Sequence, residues 1–144
     1  RTRIISLVTE SQAMTKILLI DDEVAFTDLM RMNLEKHGGF EVQVENHSNL
    51  ALRTARDFEP DVILLDIVMP GMDGGDLSAR FREHPKLKDT PIIIISALVA
   101  NNETADDAVA VSGDQIIVAK PVRMVKLLKS IEFALAQGAG GEAS

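Results

Sequence analysis

Residues 60–74 read PDVILLDIVMPGMDG. Val62 to Leu65 are four apolar residues in a row, bounded by turn signals, as in a strand buried on both faces. Asp66 follows at once, then Pro70-Gly71 as a turn and Asp73 before Gly74-Gly75. A carboxylate at the end of a rigid buried strand has two readings. It is a loop group bonded to backbone N–H, or it is a reacting group held in place.

Four similar runs flank this one: Ile17–Ile20, Phe40–Val44, Ile92–Ile95 and Ile116–Val118. Most are rich in Ile and Val, as in a parallel sheet covered on both faces. The segments between them predict helices. Phe26, Leu29, Met30 and Leu34 fall at i, i+3, i+4 and i+8, with Gly38 as a stop. Ala51, Ala55 and Phe58 form a second stripe, with Ser48 or Asn49 as N-cap and Pro60 as its end. Leu77 and Phe81 mark a third, stopped by Pro85, and Met124, Leu127, Leu128, Ile131 and Leu135 make the clearest, the last helix. The stretch 101–112, NNETADDAVAVS, is the weakest helical pattern, with irregular apolar spacing broken by acids. Five strands alternating with five helices predict a doubly wound α/β domain with right-handed crossovers. Sheets of this class bind ligands beyond the carboxyl ends of the strands, where the strand order reverses.

A chain of 144 residues fits one domain with a real core. It has no cysteine, which excludes disulfides and thiolate metal sites and suits the cytoplasm. The net charge of −7, with 15 Lys and Arg, disfavours direct nucleic-acid binding. Five Phe without Trp or Tyr leave little for base stacking. No apolar run is long enough for a membrane-spanning helix. Residues 1–13, RTRIISLVTESQA, precede Met14 and read as a leader or an artificial extension. Residues 14–136 form the domain, and the Gly- and Ala-rich residues 137–144 read as a flexible tail.

The polar residues at the strand ends carry the chemistry. They are Asp21-Asp22, Asp66, Ser96 and, after Ala119, Lys120-Pro121. In a parallel sheet these ends share one edge, and adjacent first and third strands bring Asp21, Asp22 and Asp66 together. Each residue has a plain reading alone. Asp21 or Asp22 caps the first helix, Ser96 is a turn residue, Lys120 is a solvated charge and Asp73 caps the third helix. Jointly they say more. Three crowded carboxylates repel one another without a cation. Mg²⁺ suits such a site because it binds a few carboxylates and accepts phosphate oxygens. Lys120 adds a compact positive charge and Ser96 a hydroxyl donor. Metal, carboxylate nucleophile, lysine and hydroxyl together suit phosphoryl transfer to an aspartate.

In order and spacing from Lys16 to about Leu135, Asp21-Asp22, DIVMPGMDG, IIIISA and AKP resemble the receiver domain of two-component response regulators. The resemblance, and not the periodicity, implies the flavodoxin-like strand order 2-1-3-4-5. It implies that Asp66 accepts a phosphoryl group from a sensor histidine kinase or phosphotransfer protein. Asp21, Asp22, Asp66 and the backbone carbonyl of Val68 would hold Mg²⁺, Asp22 directly and Asp21 largely through water. Lys120 would pair with Asp66 and then with phosphoryl oxygens, the Ser96 hydroxyl would move toward them, and Lys120–Pro121 would be cis. The output would be contact with an unidentified downstream protein, with homodimerisation left open, and no turnover beyond the domain's own phosphorylation and dephosphorylation. Two features depart from the family pattern. Ile117 stands where an aromatic residue often does, and the segment from Ser96 to Lys120 is about two residues longer, in LVANNET.

Two other readings compete. A phosphatase of the haloacid dehalogenase type also uses a strand-end Asp and Mg²⁺, but it places an acid/base Asp two residues later, where this chain has Val68. A receiver-shaped binding module that takes no phosphate usually lacks an acid or the lysine, and both are present here.

Overall fold

The computed structural model describes residues 13–69, 72–97, 109–112 and 115–143. Along the chain run β1 (Thr15–Ile20), α1 (Val24–His37), β2 (Phe40–Glu45), a 3-10 turn (Ser48–Leu50), α2 (Ala51–Phe58) and β3 (Val62–Asp66). Then come β4 (Val68–Met69), β5 (Met72–Asp73), α3 (Gly74–Glu83), β6 (Ile92–Ser96), β7 (Ala110–Ser112), β8 (Gln115–Ala119) and α4 (Met124–Ala143).

All five apolar runs are strands of one sheet, ordered β2-β1-β3-β6-β8-β7. The first five are parallel, so counting those alone the order is 2-1-3-4-5. The sheet's two faces make two cores. Ile17, Leu19, Val62, Leu64, Ile93 and Ile95 pack with Met30 and Leu34 of α1 and Leu127 and Ile131 of α4. The alternate residues Leu18, Ile20, Ile63, Leu65 and Ile94 pack with Ala51 and Ala55 of α2 and Leu77 and Phe81 of α3. Burial on both faces is why these strands read as unbroken apolar runs rather than as alternating ones. Ile93, fully buried in β6, gauges how tightly this core fits. Ile93→Val should cost about 0.5–1.5 kcal/mol in urea unfolding, with an unchanged denaturant slope.

Several local expectations change. In α1 the buried face is Thr27, Met30 and Leu34, while Leu29 is 49% exposed. Thr27 tolerates burial because its hydroxyl donates to the Val24 carbonyl at 3.0 Å and accepts from Asn46 Nδ2 at 3.0 Å. Neither Asp21 nor Asp22 caps α1, whose N-cap is Glu23. Neither Ser48 nor Asn49 caps α2; both lie in the 3-10 turn, and Leu50 takes the cap position. Gly38 and Gly39 join α1 to β2 with φ of +95° and +88°, a region that L side chains rarely adopt. α3 ends at Glu83, ahead of Pro85. α4 continues to Ala143, past residue 137 where the sequence suggests a tail.

The largest difference lies between β6 and β8. Four α-helices, not five, occur among the described residues. The helix expected over 101–112 falls outside them as far as residue 108, and residues 110–112 are a strand. β7 pairs antiparallel with β8 through Ala110↔Ile117, Val111↔Ile116 and Ser112↔Gln115. Val109 and Val111 alternate with Ala110 and Ser112, and Gly113-Asp114 has the residue types that two-residue hairpins favour. The acids upstream mask this short alternation when a 12-residue window is read as a helix. No helix among the described residues is long and apolar enough to cross a membrane.

Candidate functional site

The register of the parallel strands builds the site. Ile20 of β1 lies opposite Leu65 of β3, so the next residues, Asp21 and Asp66, stand side by side at the carboxyl edge of the sheet. Asp66 lies opposite Ile95, the residue before Ser96. Ser96 lies opposite Ala119, and the Lys120 N–H donates to the Ser96 carbonyl at 3.0 Å. The carboxyl edge of the sheet thus brings Asp21, Asp66, Ser96 and Lys120 together, as the strand ends predicted.

Their surroundings differ. Asp21 is 1% exposed; its Oδ1 accepts the Glu23 N–H at 2.9 Å and its Oδ2 accepts Lys120 Nζ at 2.8 Å. Asp66 is 6% exposed; its Oδ1 accepts the Val68 N–H at 3.2 Å and its Oδ2 lies 3.7 Å from Lys120 Nζ. Asp22 is exposed, and Ser96 is fully buried. One carboxylate oxygen from each of Asp21, Asp22 and Asp66 can be chosen so that all three lie within 4.8 Å of one another. Such hard oxygen donors fit Mg²⁺, and their crowding is a reason for a cation to sit there.

Burial pushes the Asp66 carboxyl above the usual carboxylate range, and the Asp21 and Asp22 charges add to this. The Val68 N–H and Lys120 pull it back only in part. Burial disfavours the Lys120 ammonium, but hydrogen bonds to Asp21 and Glu23, with the charges of Asp21 and Asp66, more than offset this. Lys120 is therefore held above the ordinary lysine range. The Lys120–Pro121 peptide is cis.

Two participants were missed in the sequence. Glu23 Oε1 accepts Lys120 Nζ at 2.9 Å, and the Phe26 ring lies under the same ammonium at 4.4 Å. Phe26 was assigned only to the helix stripe. A third acid directly after Asp21-Asp22 was the available signal for Glu23. The expected partner of Lys120 was Asp66, yet its two hydrogen bonds go to Asp21 and Glu23. Val68 sits in β4 and is 57% exposed. Ile117 is half-buried against the second core. Asp73 immediately precedes α3 and pairs with Val68 in the β4–β5 ladder. LVANNET lies outside the described residues.

Comparisons with known proteins agree with this geometry. The family described as response regulator receiver domain matches residues 17–132. Protein PilH of Pseudomonas aeruginosa is 32% identical over 123 residues, 85% of this chain and 99% of that protein. Protein-glutamate methylesterase/protein-glutamine glutaminase 3 of Rhodospirillum rubrum is 41% identical over 85 residues, 59% of this chain. The aligned part is 22% of that relative's length, and for two further curated relatives it is 35% and 52%. The structure of chemotaxis protein CheY4 of Vibrio cholerae superposes with a TM-score of 0.70 at 26% identity, covering 85% of this chain and 100% of that one. The chain therefore belongs to the receiver domains of two-component response regulators.

Proposed function

We propose that Asp66 is the phosphoryl acceptor of this receiver domain. The observation that carries the reading is the convergence of Asp21, Asp22, Asp66 and Lys120 at one edge of the sheet. The Asp66 carboxylate attacks phosphorus, the P–N bond of a phosphohistidine donor breaks, and the imidazole leaves with its electron pair and takes up a proton. The β3 strand end fixes the nucleophile for in-line attack. Lys120 offsets charge on the transferring group, and the buried Ser96 hydroxyl bonds a phosphoryl oxygen. Asp21, Asp22, Asp66 and the Val68 carbonyl would hold Mg²⁺, which supplies further charge compensation when bound. The donor is a sensor histidine kinase or phosphotransfer protein, and the output is contact with a downstream protein in the cytoplasm. DNA binding in the name of one relative belongs to that protein, of which this chain spans 35%.

A phosphatase of the haloacid dehalogenase type is not favoured. Val68 stands at its acid/base position, and an isopropyl group moves no proton. With Mg²⁺ and acetyl phosphate, intact mass should show a gain of one phosphoryl group, and phosphate esters should give no steady turnover. A chain that stays unmodified at saturating donor sinks the proposal.

Metal binding has a separate readout. Mg²⁺ at about one hundred times its Kd should stabilise the fold by about 2.7 kcal/mol, seen as a higher Tm. Asp22 is exposed, so Asp22→Ala should fold normally and lose more than half of that response. An unchanged wild-type Tm argues against the site.

A further inference from the structure

We propose that Glu23 is a positioning residue that tethers Lys120 and keeps its ammonium from closing onto Asp66 before phosphorylation. The inference rests on Asp66 as the acceptor. Four groups surround Lys120 Nζ, at unequal distances. Asp21 Oδ2 lies at 2.8 Å, Glu23 Oε1 at 2.9 Å, Asp66 Oδ2 at 3.7 Å and the centre of the Phe26 ring at 4.4 Å. An ammonium has three N–H donors. Two are committed to Asp21 and Glu23, and the separation from Asp66 exceeds hydrogen-bond distance. The Lys120 side chain is 15% exposed, so water competes little for it, and its partners decide where it sits.

This arrangement serves phosphoryl transfer in two ways. A lysine hydrogen bond draws electron density from a carboxylate oxygen and competes for one of its lone pairs, and the tether leaves Asp66 Oδ2 without that bond. The gap of 3.7 Å also leaves room for a phosphoryl oxygen, carried by Asp66, to enter the reach of the ammonium. Asp21 alone does not fix this geometry, because it is adjacent to both Lys120 and Asp66. Glu23 pulls from outside the carboxylate cluster and is 63% exposed, so its bond can be surrendered to solvent when the phosphoryl group arrives. Phe26 supports the same placement by lying under the charge.

The test compares Glu23→Ala with Glu23→Gln, whose amide oxygen still accepts from Lys120. In crystals of unphosphorylated Glu23→Ala, Lys120 Nζ should close on Asp66 Oδ2 to under about 3.2 Å. Its phosphorylation rate at saturating acetyl phosphate should fall about three- to fivefold, the scale of one partly exposed ion pair, with the half-saturating donor concentration unchanged. Glu23→Gln should recover the wild-type distance and most of the rate. A Lys120–Asp66 distance unchanged in Glu23→Ala, or a rate equal to wild type, overturns the tether. Failure of the wild type itself to take a phosphoryl group refutes the receiver mechanism instead, while the distance still tests the tether.

Discussion

Asp66→Asn is expected to gain no phosphoryl group under conditions in which the wild type gains one, with intact mass as the measurement. The amide keeps the shape of the side chain but has no anionic oxygen to attack phosphorus. The effect should be all-or-none, because no other carboxylate ends β3 facing both Lys120 and the Asp21-Asp22 pair. Equal gain by both proteins would place the acceptor elsewhere. The same substitution should make the metal-free domain more stable at neutral pH. Asp66 has a raised folded-state pKa, so the folded state binds its proton more tightly than the unfolded chain does. That contribution is fully present below the ordinary value of 3.8 and is lost as pH rises through the raised one. At pH 7 the wild type therefore carries a buried carboxylate whose charge opposes folding, and Asn removes it. The stability difference should shrink on acidification toward pH 4 and narrow when Mg²⁺ is added. A variant less stable than wild type at pH 7 without metal contradicts the electrostatic account.

Lys120→Ala is expected to affect both chemistry and stability. Removing the ammonium that lies 3.7 Å from Asp66 should, on the proposed mechanism, slow phosphorylation by acetyl phosphate about a hundredfold, as loss of one preorganised charge donor does elsewhere. Stability should fall by roughly 2 kcal/mol, less than for breaking a fully buried pair, because the ammonium retains some solvent contact. The penalty arises at Asp21, which is 1% exposed and, among the described residues, would keep the Glu23 N–H as the donor to its carboxylate. Added Mg²⁺ should recover part of the lost stability by offsetting the same charges. The raised pKa of Lys120 fixes the pH range. Its contribution is fully present below the ordinary lysine value of 10.5 and is lost only as pH rises through the higher folded-state value. The gap between wild type and variant should thus hold steady from pH 7 to 10. Urea unfolding across that range measures it, and a gap that closes by pH 9 rejects the assignment.

The sequence reading was strongest where burial is two-sided. Val62–Leu65 and Ile92–Ile95 are apolar at every position because each strand feeds both cores, and such runs survive errors in helix phase. It was weaker where a side chain's role depends on rotation about a helix axis. Leu29 fits the apolar spacing of α1, but the sheet selects Thr27 instead, whose hydroxyl finds two partners. It also failed at residues 110–112, where a three-residue edge strand gains its hydrogen bonds from β8 rather than from its own neighbours.

The order of residue types along the chain determined the strand ends, and with them Asp21, Asp22, Asp66, Ser96 and Lys120 as one chemical group. Strand ends in a parallel sheet share an edge whatever the helices do, so local pattern was enough. Only the tertiary structure decided how that group is wired. The register Ile20↔Leu65 places Asp21 beside Asp66, and the chain brings Lys120 back to Asp21 from 99 residues away. Lys120 then takes Asp21 and Glu23 at 2.8 and 2.9 Å and leaves Asp66 at 3.7 Å. An ion pair is set by differences of less than an ångström between elements distant in sequence, and no periodicity records them.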